Sequence, residues 1–226
     1  MPFHIGLLLF PAITQLDMTG PYEVFSKFPE AKVYLVWKDR EPVTADGGMQ
    51  ILPTTTLADC PALDLICVPG GPGINALLND ENVLDFIRRQ AKCARYVTSV
   101  CTGALVLGAA GLLTGRRATT HWMSLDMLAA FGATPVVERT VLDGNVITGG
   151  GVTAGIDFAL AVAAEAFSPD LARLIQLGIE YDPKPPFDAG SPDRAGAALV
   201  AKACAAAAIR QAERQEAVDA AAAKMK

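Results

Sequence analysis

Cys101 is the residue whose type and position best suit covalent chemistry. It ends the strand-like run Arg95–Val100 and directly precedes a run of small and aliphatic residues typical of a helix. A thiol at such a bend lies at the positive end of the helix, which predicts a lowered pKa and a nucleophilic thiolate. A sharp strand-to-helix turn would also hold the sulfur clear of the sheet. From position alone, a buried and inert cysteine is an equally good interpretation.

Asp17 is the candidate partner for proton transfer. It is predicted in a loop just past the first strand, at the same sheet edge as Cys101, between Leu16 and Met18. Apolar surroundings raise the pKa of a carboxyl group and suit it to general acid–base work. The alternative is an ordinary role as the N-cap of the following helix near Gly20.

The chain offers few other acid–base groups. His4 lies inside the first strand, and His121, just past a later strand, is expected to be a hydrogen-bonded structural residue. Thr102 cannot act as a base, although its hydroxyl group can bind a substrate. The other cysteines, at positions 60, 67, 93 and 204, are expected to be packing residues.

Two glycine-rich turns follow predicted strands, at Pro69–Gly73 and Thr148–Gly155. Such turns can direct backbone N–H groups at a developing negative charge, although tight packing of helix against strand explains them equally well. The second turn loosely matches a dinucleotide-binding motif, but it lacks the acidic residue expected about 20 positions later. We therefore expect no nucleotide cofactor.

The elements that must position these residues alternate along the chain. Short aliphatic runs are interleaved with helical stretches, which predicts an α/β, doubly wound, mostly parallel sheet with helices on both faces. Helices are expected at Thr19–Phe28 and at Ser124–Phe131. We expect one catalytic domain over residues 1–190 and an alanine-rich helical extension over residues 191–226. The helix from Gly196 to Lys226 would pack on the domain or on a dimer partner, or its last dozen residues would fray.

Composition excludes several classes of protein. The chain has 226 residues, a formal net charge of −5 and basic residues without a stripe, which argues against nucleic-acid binding. Five cysteines without a CxxC pair, with only two histidines, argue against a disulfide framework or a metal site. No apolar run approaches the roughly 20 residues of a membrane span. Ile5–Phe10 is too short for a signal segment, so a cytoplasmic location is expected.

Several motifs together resemble the DJ-1/PfpI superfamily. They are PGG after a strand, SVCTGALVLGAAGLLTGRRATTHW around Cys101, and TGGGVTAGIDFAL, within a resemblance that runs from about residue 3 to residue 180. The resemblance implies a homodimer of flavodoxin-like domains, with a cysteine at each elbow and with no cofactor or metal.

The match is closer to the branch of this superfamily whose members hydrate isocyanides, through motifs such as LLFPAITQLDMTGPYEVF and FDAGSP. The substrate implied is a small isocyanide. In catalysis the resemblance implies Cys101 as nucleophile and Asp17 as general acid–base, with Thr102 beside them. The residues implied to bind substrate are Gly71, Gly150, Val152, Trp122 and Tyr181.

Two positions depart from other branches of the superfamily. Protease-like members have a histidine where this chain has Thr102, which counts against peptide hydrolysis. The DJ-1 branch carries a glutamate where this chain has Asp17, and the shorter side chain leaves more room beside the sulfur. A glyoxalase-like enzyme acting on 2-oxoaldehydes and a redox-responsive cysteine sensor remain as alternatives.

Overall fold

Seven strands form one central sheet. The computed structural model of the protein describes residues 2–225. The strands are β1 (Phe3–Leu8), β2 (Ala31–Trp37), β3 (Val43–Thr44), β4 (Gln50–Ile51), β5 (Thr55–Thr56), β6 (Leu65–Val68), β7 (Tyr96–Val100), β8 (Arg117–Ala118), β9 (Thr134–Pro135), β10 (Thr140–Asp143) and β11 (Val146–Gly149). The sheet has the order β10-β11-β7-β6-β1-β2-β5 and is parallel except for the pair β10 and β11. This arrangement confirms the predicted doubly wound, flavodoxin-like class.

Helices cover the sheet in two groups. They are α1 (Gln15–Phe25), α2 (Ile74–Leu77), α3 (Glu81–Ala91), α4 (Gly103–Ala109), α5 (Ala154–Ala166), α6 (Pro169–Gly178), α7 (Pro192–Ala195) and α8 (Ala197–Ala223). Helix α5 packs against α1 and α6, whereas α8 packs against α2, α4 and the 3-10 segment Asp126–Phe131. Among the described residues, no helix combines the length and the apolar character that a membrane crossing requires.

The core lies on both faces of the central strands. Every residue of β6 is buried, and in β1 Ile5, Leu7 and Leu8 are at most 1% exposed. Burying a side chain of this kind typically contributes about 1.5–3 kcal/mol. Strands that are apolar on both faces therefore belong at the centre of a parallel sheet.

Several elements differ from the sequence prediction. Helix α1 begins at Gln15 rather than Thr19, so Asp17 lies in its first turn and not in a loop. The stretch 124–131 is mostly 3-10 helix, where an ordinary helix was expected. Helix α6 was not predicted, although its start carries a clear signal: the Ser168 side chain accepts a hydrogen bond from the N–H of Leu171 at 3.2 Å.

The alanine-rich tail forms a continuous helix through Ala223. Its residues Ala207, Arg214, Val218 and Ala221 are buried on one side, against the domain of the same chain. Lys226 lies outside the described residues. The boundary between a catalytic domain and an extension at residue 190 stays a prediction.

Candidate active site

Cys101 occupies a strained turn between β7 and α4. Its φ is +55°, in the left-handed region that costs a residue with a side chain roughly 1–2 kcal/mol. Its N–H donates to the carbonyl oxygens of Gly149 and Gly150 at 3.0 and 3.1 Å, and its carbonyl accepts from Thr120 Oγ1 at 2.6 Å. These bonds hold the strained backbone in place. Strain retained in this way is typical of functional turns.

Glycines let the neighbouring backbone approach this turn. A Cβ atom at Gly103 would lie 1.9 Å from the carbonyl oxygen of Val68. A Cβ atom at Gly70 would lie 2.6 Å from the Thr102 nitrogen and 2.9 Å from Asp17 Oδ2. The glycine turn after β6 therefore provides close packing, which was one of the two interpretations open from the sequence.

Asp17 is a buried carboxyl group facing the Cys101 thiol. Its side chain is fully buried, and burial raises its pKa from 3.8 to about 7, while the thiol and the Gly70 N–H partly oppose the rise. Neither carboxyl oxygen makes a hydrogen bond of good geometry with a described residue. The N-cap position of α1 belongs to Thr14, so Asp17 does not cap the helix. An unsatisfied buried carboxyl with a perturbed pKa is typical of a functional group.

The pKa of the Cys101 thiol is raised well above its ordinary value, contrary to the prediction from the helix end. Burial is the largest cause, and the charge of Asp17 is the next. The Thr102 N–H and the Arg214 charge act in the opposite direction but are weaker. The resting sulfur is therefore a protonated thiol beside a carboxyl group that titrates near neutral pH.

A cavity of about 180 Å³ has Cys101 in its wall. Its lining residues are Thr14, Asp46, Gly71, Pro72, Cys101, Thr102, His121, Met123, Val152, Arg210, Gln211 and Arg214. The structure thus brings together Cys101, Thr102, Gly71 and Val152 from the predicted set. Asp17 reaches the cavity only through its contact with Cys101.

Thr102 and Gly71 are tied to each other. The Gly71 N–H donates to Thr102 Oγ1 at 3.0 Å, and the hydroxyl group lies 3.4 Å from the Gly71 carbonyl oxygen. The Gly71 N–H is therefore already used, which differs from the expectation that it faces a developing charge. The Thr102 N–H instead lies at the Cys101 sulfur and lowers its pKa.

Three predicted substrate-binding residues, Gly150, Trp122 and Tyr181, do not line this cavity. The Gly150 carbonyl supports the Cys101 turn, and Trp122 lines a separate cavity beside Leu199 and Val200. The Tyr181 hydroxyl group donates to Oδ2 of Asp157, a residue of α5, at 3.0 Å, and Tyr181 is not among the lining residues of the cavity.

His121 contributes to the cavity as a neutral side chain. Burial and the charges of Arg214 and Arg210 lower its pKa to about 4, and its Nδ1 accepts from the Met123 N–H at 3.3 Å. This agrees with the expected structural role. Among residues 2–225, no group of histidine, cysteine or acidic side chains is arranged to hold a metal ion.

Comparison with known proteins is consistent with this geometry. The sequence pattern of the DJ-1/PfpI family matches residues 4–165. The chain belongs to the DJ-1/PfpI family.

Similar proteins cover the chain to different extents. The chain is 59% identical over 225 residues to the isonitrile hydratase of Pseudomonas putida, which covers 100% of this chain and 99% of that protein. It is 31% identical to the HTH-type transcriptional regulator GbdR of Pseudomonas aeruginosa, over 80% of this chain and 51% of the regulator. The crystal structure of a ThiJ/PfpI family protein from Pseudomonas syringae superposes with a TM-score of 0.92 at 43% identity, covering 98% of this chain and 91% of that one.

One wall of the cavity in this DJ-1/PfpI protein was not predicted from the sequence. Arg210, Gln211 and Arg214 come from α8, more than 100 residues after Cys101. The sequence does contain a pattern that indicates this wall. Residues spaced three or four positions apart form one helix face: Ala207, Gln211, Arg214, Val218 and Ala221. An arginine on such a face is unusual and would have marked the tail as part of the site.

Proposed function

We propose that this protein is a cofactor-independent isocyanide hydratase, which adds water to R–N≡C and forms an N-substituted formamide. The observation that carries the proposal is the buried pair of Cys101 and Asp17 beneath a small cavity. The substrate class follows from the full-length similarity to an isonitrile hydratase, isonitrile being another word for isocyanide. A nucleophile in contact with a proton-transfer group is the arrangement that covalent catalysis requires.

The first half-reaction joins the substrate to the thiol. Asp17 accepts the Cys101 proton as Sγ attacks the terminal carbon of the isocyanide. The same proton is then delivered to that carbon, giving a thioimidate, Cys–S–CH=N–R. Because the carbon is now bonded to Sγ, the carboxyl group that faces the thiol is also close to the carbon. The S–H bond breaks, and one S–C and one C–H bond form.

The second half-reaction releases the formamide. Asp17, again a carboxylate, accepts one proton from water as the water oxygen attacks the thioimidate carbon, and passes that proton to the nitrogen, giving Cys–S–CH(OH)–NH–R. Collapse of this tetrahedral intermediate breaks the S–C bond and forms the C=O bond, and Asp17 transfers the hydroxyl proton to the sulfur. The product is R–NH–CHO and the thiol is restored.

The raised pKa of Asp17 suits this proton cycle. A carboxyl group with a pKa of about 7 can both accept and return a proton at neutral pH. The Thr102 N–H lies at the sulfur and stabilises negative charge there as the S–C bond breaks. Thr102 also holds the Gly71 loop at the cavity wall through its hydroxyl group.

The redox-sensor alternative fits the site less well. The thiolate is the form of cysteine that peroxide oxidises, and burial together with Asp17 disfavours the thiolate of Cys101. A cysteine that is kept protonated until a substrate arrives suits catalysis better than sensing.

Turnover of an aryl isocyanide, followed by the absorbance of the formamide, tests the proposal. We expect the wild type to turn over, Cys101→Ala to be inactive, and Asp17→Asn to lose about 10²–10⁴-fold in rate. Cys93→Ala removes an exposed cysteine and serves as the matched control, with wild-type activity expected. Absence of turnover by the wild type, or undiminished turnover by Cys101→Ala, would overturn the assignment.

We further propose that the protein acts as a homodimer, as the family resemblance implies. Exposed apolar side chains such as Trp122, Phe187 and Leu199 are consistent with a covered face. Light scattering after gel filtration measures the mass directly, and a monomeric mass at micromolar concentration would contradict this proposal. The cytoplasmic location stays a prediction.

A further inference from the structure

Arg214, on α8, is a buried cation that the proposed reaction does not use. Arg214 is only 4% exposed to solvent. Its Nε donates to Asn75 Oδ1 at 3.3 Å and its Nη1 to Ser124 Oγ at 3.2 Å. Both acceptors are uncharged, and within residues 2–225 no carboxylate lies within ion-pair distance of the guanidinium group. Buried charges are normally paired, so this cation lacks the partner that its burial calls for.

Arg214 faces the same cavity as the Cys101 sulfur, and Arg210 accompanies it. Arg210 lies one helical turn earlier and also lines the cavity. It too has no ion pair in the described part of the chain. Like charges at this spacing on a helix repel each other. An anion held between the two arginines would relieve the repulsion and supply the missing counter-charge.

The other charged groups of the cavity do not supply that counter-charge. His121 is neutral near pH 7, since its pKa is lowered to about 4. Asp46 lines the cavity but accepts a hydrogen bond from Thr14 Oγ1 at 2.6 Å, and no ion pair between it and Arg210 or Arg214 is formed among the described residues. The lining therefore carries two positive charges and one negative charge.

We propose that Arg214 and Arg210 bind an anionic group of the substrate, so that the preferred substrates are small isocyanides that carry a carboxylate. This inference rests on the proposed function and names its substrate class. The planar guanidinium group matches a carboxylate through two parallel hydrogen bonds. The cavity of about 180 Å³ restricts the substrate to a compact molecule. With its carboxylate at α8, such a molecule can direct its isocyanide carbon towards Cys101.

Matched pairs of acid and amide test the inference. The probes are isocyanoacetate, 3-isocyanopropanoate and 4-isocyanobenzoate, each compared with its own carboxamide, which has nearly the same shape and no charge. The readout is the ratio of kcat/KM for the acid to kcat/KM for the amide. In the wild type we expect this ratio to reach at least about tenfold at one or more of the three lengths, a difference of about 1.4 kcal/mol.

Variants on α8 then assign the preference to the two arginines. Arg214→Gln and Arg210→Gln should each reduce the ratio at least about fivefold. Lys202→Gln, which removes one positive charge from an exposed position of the same helix, is the matched control and should leave the ratio unchanged. Arg210 is exposed, so Arg210→Gln decides the matter if Arg214→Gln fails to fold.

The possible failures can be told apart. A ratio near one at all three lengths in the wild type, or a ratio that Arg210→Gln leaves unchanged, overturns the anion site. Turnover of the amides without a preference for the acids overturns this inference alone. Absence of turnover for acids, amides and aryl isocyanides overturns the proposed function itself.

Discussion

Replacement of Asp17 by asparagine should stabilise the protein while it removes activity. Asparagine has nearly the same shape as aspartate but cannot ionise. Burial raises the pKa of Asp17 from 3.8 to about 7, so the folded protein holds this proton more tightly than the unfolded chain does. Wild-type stability therefore falls as the pH rises from about 4 through about 7, where the buried carboxyl group must ionise. Asp17→Asn does not lose stability in this way, because its side chain does not ionise.

The size of the effect follows from the same pKa values. Each tenfold change in proton affinity is worth about 1.36 kcal/mol, so the full rise corresponds to about 4 kcal/mol. Linkage then gives an advantage for Asp17→Asn of about 2 kcal/mol at pH 5 and about 4 kcal/mol at pH 8.5. An exposed side chain such as Asp170 should give less than about 0.5 kcal/mol when replaced by asparagine.

Urea unfolding measures the free energies directly. Unfolding is measured at several pH values between 5 and 8.5 for the wild type, Asp17→Asn and the control Asp170→Asn. All measurements use one protein concentration, because the stability of a dimer depends on protein concentration. The difference between Asp17→Asn and wild type should grow as the pH rises. A difference that is the same at pH 5 and pH 8.5, or that shrinks, would refute the reasoning that Asp17 is a buried group of raised pKa.

Activity should rise with pH, whereas the stability of the wild type falls. Asp17 must be a carboxylate to accept the thiol proton, so kcat/KM of the wild type should rise with pH through about 7 and then level off. The rate profile of isocyanide hydration between pH 5.5 and 8.5 measures this. A flat profile over that range would show that a group other than Asp17 controls proton transfer.

Two further predictions concern the Cys101 turn. Gly103→Ala should lower the free energy of unfolding by about 2–3 kcal/mol in a urea titration, because its Cβ would lie 1.9 Å from the Val68 carbonyl oxygen. The control Gly190→Ala, with open space around it, should have little effect. Equal stability of the two variants would contradict this prediction. Iodoacetamide at pH 8 should alkylate Cys101 at least about tenfold more slowly than the exposed Cys93, because burial and the nearby carboxyl group disfavour the Cys101 thiolate. Mass spectrometry measures both labelling rates. Faster labelling of Cys101 would contradict its raised pKa.

Much of the local architecture could be predicted from the sequence because it depends on short-range patterns. The aliphatic runs around Ile5, Leu65 and Val97 form the predicted parallel strands, and the bend after Val100 forms the predicted turn at Cys101. Asp17 was placed at the correct sheet edge, although in a loop instead of a helix. Parallel strands end at one edge of the sheet, so their positions in the chain suffice to bring these two residues together.

The electrostatics of the pair could not be predicted in the same way. The position of Cys101 before a helix indicated a lowered pKa, but the completed core buries the sulfur and sets it beside Asp17, and both effects raise the pKa. Burial depends on every element that packs around the turn. A single stretch of sequence therefore contains too little information to give even the sign.

The sequence by itself determined the sheet, the sharp turn at Cys101 and the residue types available for proton transfer, because propensity, hydrophobic period and small residues act over a few positions. Only the tertiary structure decided that α8 forms a wall of the cavity, so that Arg214 and Cys101 line the same space. The two residues are 113 positions apart in the chain, and their arrangement depends on the packing of a helix whose composition alone suggests an ordinary surface. The charge of the cavity, and with it the substrate class proposed above, comes from this packing.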